Sequence, residues 1–184
     1  DPQHRWSNHL KILQDQNIDL DEINNIKTLE KYCIITLEGW LYRGNESFIK
    51  HSAFICSYFT PINKYTLPIN KLFISIKKKH NIIIGLHIRR GDFKDPKNER
   101  LRDYLSFHDY KIIINKTINY FNKYNPGLVI CSDDEIPKEI YSNYHVYYTD
   151  GHLISDIYAL SKCDYILGVA STFSLWASFY GKVP

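Results

Sequence analysis

His87, Arg89, Arg90 and Asp92 stand within one short stretch at the end of the apolar run Ile82–Ile88. Arginine keeps its charge at any physiological pH, and its planar fork matches phosphate oxygens. Two arginines delivered by one segment therefore suit a phosphate-bearing ligand. A second polar group, Ser132-Asp133-Asp134, follows another short apolar run, with Asp156 one unit later. A third, Ala170-Ser171-Thr172-Phe173-Ser174, opens a helical stretch. A helix N-terminus presents backbone N–H groups that attract anions. Arginines and a helix N-terminus together suit a diphosphate. A carboxylate nearby suits guanine, whose N1–H and N2–H2 both donate.

Every one of these residues also has an architectural reading. Arg89 and Arg90 could pair with Asp92 or a neighbouring acid, since structural ion pairs crowd charge in the same way. Ser171 or Thr172 could cap a helix. Ser132-Asp133-Asp134 could cap the next one, and Asp156 could face solvent. His87, between Leu86 and Ile88, could be a satisfied core histidine. The ligand reading depends on all three groups meeting at one edge.

The elements that would bring them there follow from hydrophobic pattern. Ile82–Ile88 is continuously apolar and β-branched, which reads as a strand buried on both faces of a parallel sheet. A polar loop covers 92–102, and a helix at about 103–124 carries Tyr110, Ile113, Ile114, Thr117, Ile118 and Phe121 on one stripe. Asn125-Pro126-Gly127 turns into a strand at Leu128–Cys131. A short helix at about 135–143, a strand at Val146–Tyr148, a helix at about 153–162, a strand at Asp164–Val169 and a last helix after Ser171 complete the alternation. Strand and helix alternating with short links argue for a doubly wound α/β sheet. Loops after parallel strands gather at one edge, where such folds bind ligands.

Residues 1–80 are less patterned. Leu10, Leu13, Ile23 and Ile26 suit short helices, and Cys33–Leu37 suits a strand. Helices are expected over Ser47–Phe59, ended by Thr60-Pro61, and over Ile69–Lys79.

The 184 residues are 44% apolar and 23% charged, ordinary values for a globular chain. A net charge of +3 is too small to argue for nucleic acid or an anionic membrane. Cys33, Cys56, Cys131 and Cys163 are widely spaced among apolar neighbours, as buried free thiols of a reducing compartment would be. No signal peptide or spanning segment is visible. The sequence has no Met and ends at Gly181-Lys182-Val183-Pro184, so it reads as a fragment. Asn45-Glu46-Ser47 and Asn115-Lys116-Thr117 match the glycosylation sequon and matter only in a secreted chain.

His87-Ile88-Arg89-Arg90-Gly91-Asp92-Phe93 resembles the H-x-R-R-G-D-Y/F signature of the α-1,2-fucosyltransferases, glycosyltransferase family 11. The signature is shared more loosely with the α-1,6- and protein O-fucosyltransferases. Cys131-Ser132-Asp133-Asp134 resembles the second motif of that family. Asp156-Ile157-Tyr158-x-Leu160-Ser161-x-Cys163, then Ser171-Thr172-Phe173-Ser174-x-Trp176-Ala177, resembles the third, with Leu175 in place of the usual first Trp. Ser52–Pro61 is similar, more weakly, to the aromatic segment before the first motif.

The resemblance implies a GT-B-like fold: a partial N-terminal α/β region at 1–80 on the acceptor side, and a Rossmann-like GDP-fucose-binding domain at 81–184, cut short at its C-terminus. It implies an inverting enzyme that moves L-fucose from GDP-fucose to a galactoside 2-hydroxyl of a glycan, with no metal and no cofactor. Arg89 and Arg90 would hold the β-phosphate and, with Asp92, form the catalytic group. His87 would contact the nucleoside, and Asp156 would accept from guanine. Ser171, Thr172 and Phe173 would close over the diphosphate. Asp133 and Asp134 would be structural or nucleotide-side. Asp92, Asp95 and Glu99 are candidates for the base. The implied setting is the cytoplasm in a bacterial or viral context, or the Golgi membrane in an animal. The competing readings are an α-1,6- or protein O-fucosyltransferase and a non-catalytic nucleotide-binding fragment. Trp176-Ala177 favours the α-1,2 family.

Overall fold

The computed structural model describes residues 10–14, 34–38, 45–91, 105–169 and 171–184. The chain divides into two compact units, Asp1–Thr60 and Pro61–Pro184.

The first unit holds two parallel strands, β1 (Leu10–Gln14) and β2 (Ile34–Glu38), with Leu10 opposite Ile34. A helix was expected around Leu10 and Leu13, and a strand stands there instead. Nothing local marks it; a short apolar segment takes the extended form when a β-branched partner offers a ladder. The expected helix over Ser47–Phe59 is two, α1 (Asn45–Lys50) and α2 (Ser52–Tyr58). The break falls at His51, whose ψ of 9° leaves the helical range.

The second unit opens with α3 (Asn63–Lys77). It starts six residues before the expected Ile69 and contains Pro68 in its interior. Pro68 has no N–H to donate, which usually stops a helix. Thr66, Ile69, Phe73 and Ile76, spaced three or four apart, are buried and hold α3 regardless. This helix, on the N-terminal side of the boundary expected at residue 80, packs within the second unit.

Four parallel strands follow: β3 (Ile82–Ile88), β4 (Pro126–Ser132), β5 (Val146–Tyr148) and β6 (Tyr165–Gly168). Their spatial order is β5-β4-β3-β6. The connecting helices are α4 (Phe107–Phe121), α5 (Leu153–Leu160) and α6 (Thr172–Gly181). The chain builds outward from β3 through β4 to β5, then returns to add β6 on the other side of β3. That reversal makes a switch point at the carboxyl end of β3, and the arrangement is Rossmann-like.

Side chains alternate across β3 and β4 and feed two cores. Ile83, Val129 and Cys131 pack with α3, α5 and Ala177 of α6. Ile84, Leu86, Ile88, Leu128 and Ile130 pack with Tyr110 and Ile114 of α4. The helix expected at about 135–143 is only a single 3-10 turn, Lys138–Ile140, preceded by Pro137. α4 begins at Phe107 because Ser106 caps it: Ser106 accepts from the Asp109 N–H while Asp109 accepts from the Ser106 N–H. Cys131 and Cys163 are buried free thiols, as expected, whereas Cys56 is a half-buried one.

Candidate active site

The period of two that builds the sheet also sorts the polar residues at its carboxyl edge. His87 and Arg89 continue the row of Ile83 and fall on the α5–α6 face. Arg90 continues the row of Ile84, Leu86 and Ile88 and falls on the α4 face, with its guanidinium 3.5 Å from the Phe107 ring centre. Its Nε lies 3.8 Å from Asp134 Oδ2.

A pocket of about 260 Å³ opens on the α5–α6 face at the switch point. His87, Arg89, Asp133, Asp156 and Phe173 line it, together with Cys131, Ser132, Gly151 and Leu153. Four of the expected site residues, His87, Arg89, Asp156 and Phe173, thus meet at one place. Arg90, Ser171 and Thr172 are not in that lining. Asp92, Asp95 and Glu99 lie outside the described residues.

His87 is buried, and its ring lies 4.9 Å from that of Phe173, tilted by 31°. Burial lowers its pKa to about 4; Asp133 opposes the shift and Arg89 adds to it. The imidazole is therefore neutral at pH 7. Its Nδ1 is buried and has no hydrogen-bond partner among the described residues. The core-histidine reading required a satisfied ring, so this atom is better explained as facing a ligand.

Gly168 lies beside His87 in the β3–β6 ladder, with φ at +145°. A Cβ there would sit 2.2 Å from the His87 carbonyl oxygen. Only glycine lets β6 approach the site so closely.

Asp133 reaches back across the sheet edge. Its Oδ1 accepts from the Arg90 N–H at 2.8 Å, and its Oδ2 accepts from the Gly91 N–H at 3.0 Å. It pins the chain leaving β3 and so fixes where Arg89 sits. Ser132 makes a local turn instead, its Oγ accepting from the Asp134 N–H. Neither residue caps a helix.

Asp156 is buried in the first turn of α5. The Thr149 hydroxyl donates to its Oδ1 and accepts from the Gly151 N–H. Burial pushes the Asp156 carboxyl above its ordinary pKa; the Thr149 bond pulls it down, Asp150 pushes it up and His152 pulls it down. A carboxylate held this way gains most from a ligand that donates hydrogen bonds to it. Thr149, Gly151 and Leu153 escaped the sequence reading, because Thr149-Asp150-Gly151 reads only as a turn.

At α6, Ser171 and Ser174 form a reciprocal cap. Ser171 Oγ accepts from the Ser174 N–H at 3.2 Å, and Ser174 Oγ accepts from the Ser171 N–H at 3.3 Å. The capping reading therefore holds for the Ser171 hydroxyl. The cap turns α6 so that Phe173, in its first turn, covers His87.

A cationic arginine, a neutral imidazole, a buried carboxylate and a helix N-terminus around one open pocket can hold an anionic, hydrogen-bond-donating ligand. Among the described residues no three His, Cys, Asp or Glu side chains converge as a metal site would. No helix there is long and apolar enough to cross a membrane. No curated protein matches the chain. The family model described as "Glycosyl transferase family 11" matches residues 62–182, more than half of the sequence and all four strands of the sheet. The chain belongs to glycosyl transferase family 11, the fucosyltransferase family.

Proposed function

We propose that the protein moves L-fucose from GDP-fucose to the 2-hydroxyl of a galactose-containing glycan, inverting the anomeric centre, without a divalent metal or other cofactor. The observation that carries this reading is the pocket at the switch point, where Arg89, Asp156 and the first turn of α6 meet. The Pro61–Pro184 unit is the donor half of a GT-B enzyme, and the N-terminal unit belongs to its acceptor side.

Breaking the bond between fucosyl C1 and the β-phosphate oxygen leaves positive charge on the ring and negative charge on departing GDP. Arg89 and the α6 N-terminus offset that negative charge from fixed positions, as a divalent ion does elsewhere. His87, neutral and covered by Phe173, contacts the nucleoside. Asp156 accepts from guanine. Arg90 acts by holding Asp134 and the chain that leaves β3. The acceptor oxygen attacks C1 from the face opposite the phosphate and gives its proton to a carboxylate base, for which Asp92, Asp95 and Glu99 are the candidates.

Calorimetric titration with GDP, GDP-fucose and UDP, with and without EDTA, tests the donor side. GDP-selective binding that EDTA leaves unchanged is expected. Equal affinity for UDP, or loss of binding in EDTA, would contradict the assignment. For the acceptor side, GDP-fucose and a β-galactoside are incubated with the chain and the product linkage is read by NMR. Fucose on any hydroxyl other than O2 refutes the linkage.

A further inference from the structure

A second recess, of about 180 Å³, lies on the α4 face of the same edge, between the segment after β4 and the loop after β5. Ser132, Gly151 and Asp156 line both it and the larger pocket, so the two are joined over the end of β4. Their walls differ. The larger pocket holds the arginine and the imidazole. The smaller has Ile130, Ile136, Tyr141 and Tyr148, and among the described residues no cationic side chain lines it.

The alternation of β5 explains the wall. Tyr147 turns to the α5 face and donates to or accepts from His80 Nε2 at 2.9 Å. Tyr148 therefore turns to the other face, where it meets Tyr141 edge-on, with ring centres 5.9 Å apart at 74°. The contact fixes the orientation of the Tyr148 ring, yet the residue stays 49% exposed. A fixed aromatic ring with an open face is a platform for a flat, π-bonded ligand. At the mouth stands Asp156. Its Oδ1 is committed to Thr149, and among the described residues its Oδ2 has no partner.

We propose that this smaller recess seats the purine base of the donor nucleotide, with Tyr148 as its stacking platform and Asp156 Oδ2 as the acceptor for its N–H groups. The diphosphate then lies in the larger pocket with Arg89, and the ribose crosses the shared residues. This seat rests on the GDP-fucose reading. It assigns affinity for the base to the Tyr148 ring, held by Tyr141, outside the three polar groups that marked the site, and gives Thr149 the role of positioning the carboxylate.

The test is calorimetry on the whole chain with GDP and with inorganic pyrophosphate, for the wild type and for Tyr148→Ala, Tyr148→Phe and Arg89→Ala. Losing a stacked base should weaken GDP binding by about tenfold or more in Tyr148→Ala. Pyrophosphate binding should be unchanged there, which also shows the variant to be folded. Tyr148→Phe keeps the ring and should keep GDP affinity, whereas Arg89→Ala should weaken both ligands. GDP binding undiminished in Tyr148→Ala overturns the seat and leaves the donor reading standing. So does a wild type that binds pyrophosphate as tightly as GDP. Parallel loss of both ligands in Tyr148→Ala overturns it too, since the ring would then support only the sheet edge. A wild type that binds no GDP overturns the donor reading and the seat together.

Discussion

Arg89 and Arg90 are neighbours in the chain and lie on opposite faces of the sheet, so their substitutions should fail differently. Arg89→Ala removes a pocket cation and is expected to slow transfer on the order of 100- to 1000-fold, read in a fucosyl-transfer assay. Arg90→Ala removes a cation over Phe107 and a partner of Asp134; it should lower stability by about 0.5–2 kcal/mol in a denaturant titration and leave GDP binding largely intact. His87 gives a pH signature. Its folded pKa of about 4 lies below the ordinary 6.5, so between those values the unfolded chain binds more protons. Its contribution is complete above pH 6.5 and is lost as pH falls toward 4, amounting to about 3 kcal/mol. Asp156 works in the opposite sense, because its raised pKa makes the folded chain bind protons more readily as acid is added. Thermal unfolding from pH 7 to 4 should therefore show an acid-side loss that His87→Gln flattens and Asp156→Asn steepens. Residue types made this chemistry legible in advance: two arginines after a strand announce an anion. What the types left unsaid is direction. That Asp133 would grip the Arg90 and Gly91 N–H groups depends on a contact more than forty residues away in the chain, which only the packed sheet creates.

At the scale of elements, the sheet edge works because helices and strands end where they do. β3 and β5 stand at the bounds that their apolar runs mark, and α5 and α6 start at the turn residues expected of them. Two of the misses share one cause. α3 runs through Pro68, and β1 forms where helices were expected, because tertiary partners outweigh local preference. The Ser171–Ser174 cap should contribute about 1 kcal/mol, so Ser171→Ala is expected to lower the unfolding midpoint in calorimetry. Gly168→Ala is more severe. The new methyl would press on the His87 carbonyl in a backbone conformation that alanine avoids, a strain of roughly 1–3 kcal/mol. Its circular-dichroism melt should shift down, and GDP binding should fall with it, because β6 and His87 must part to make room.

For the whole molecule, the doubly wound core was legible because four alternations of pattern leave few other topologies. The N-terminal unit was less legible, since the short apolar runs of residues 1–60 sustain no period that would announce their elements. The strand order also has a consequence for motion. β3 is laddered on both sides along much of its length and sits between both cores, whereas β5 is a three-residue strand at the margin of the described sheet. Amide hydrogens of 84–88 should exchange with deuterium only through global unfolding, and those around Tyr148 through local opening many times more often. The two ends of one ligand would then rest on ground of unequal permanence. The phosphate end would meet a surface that is always formed. The base end would meet one that repeatedly forms and dissolves, until the ligand itself holds it closed.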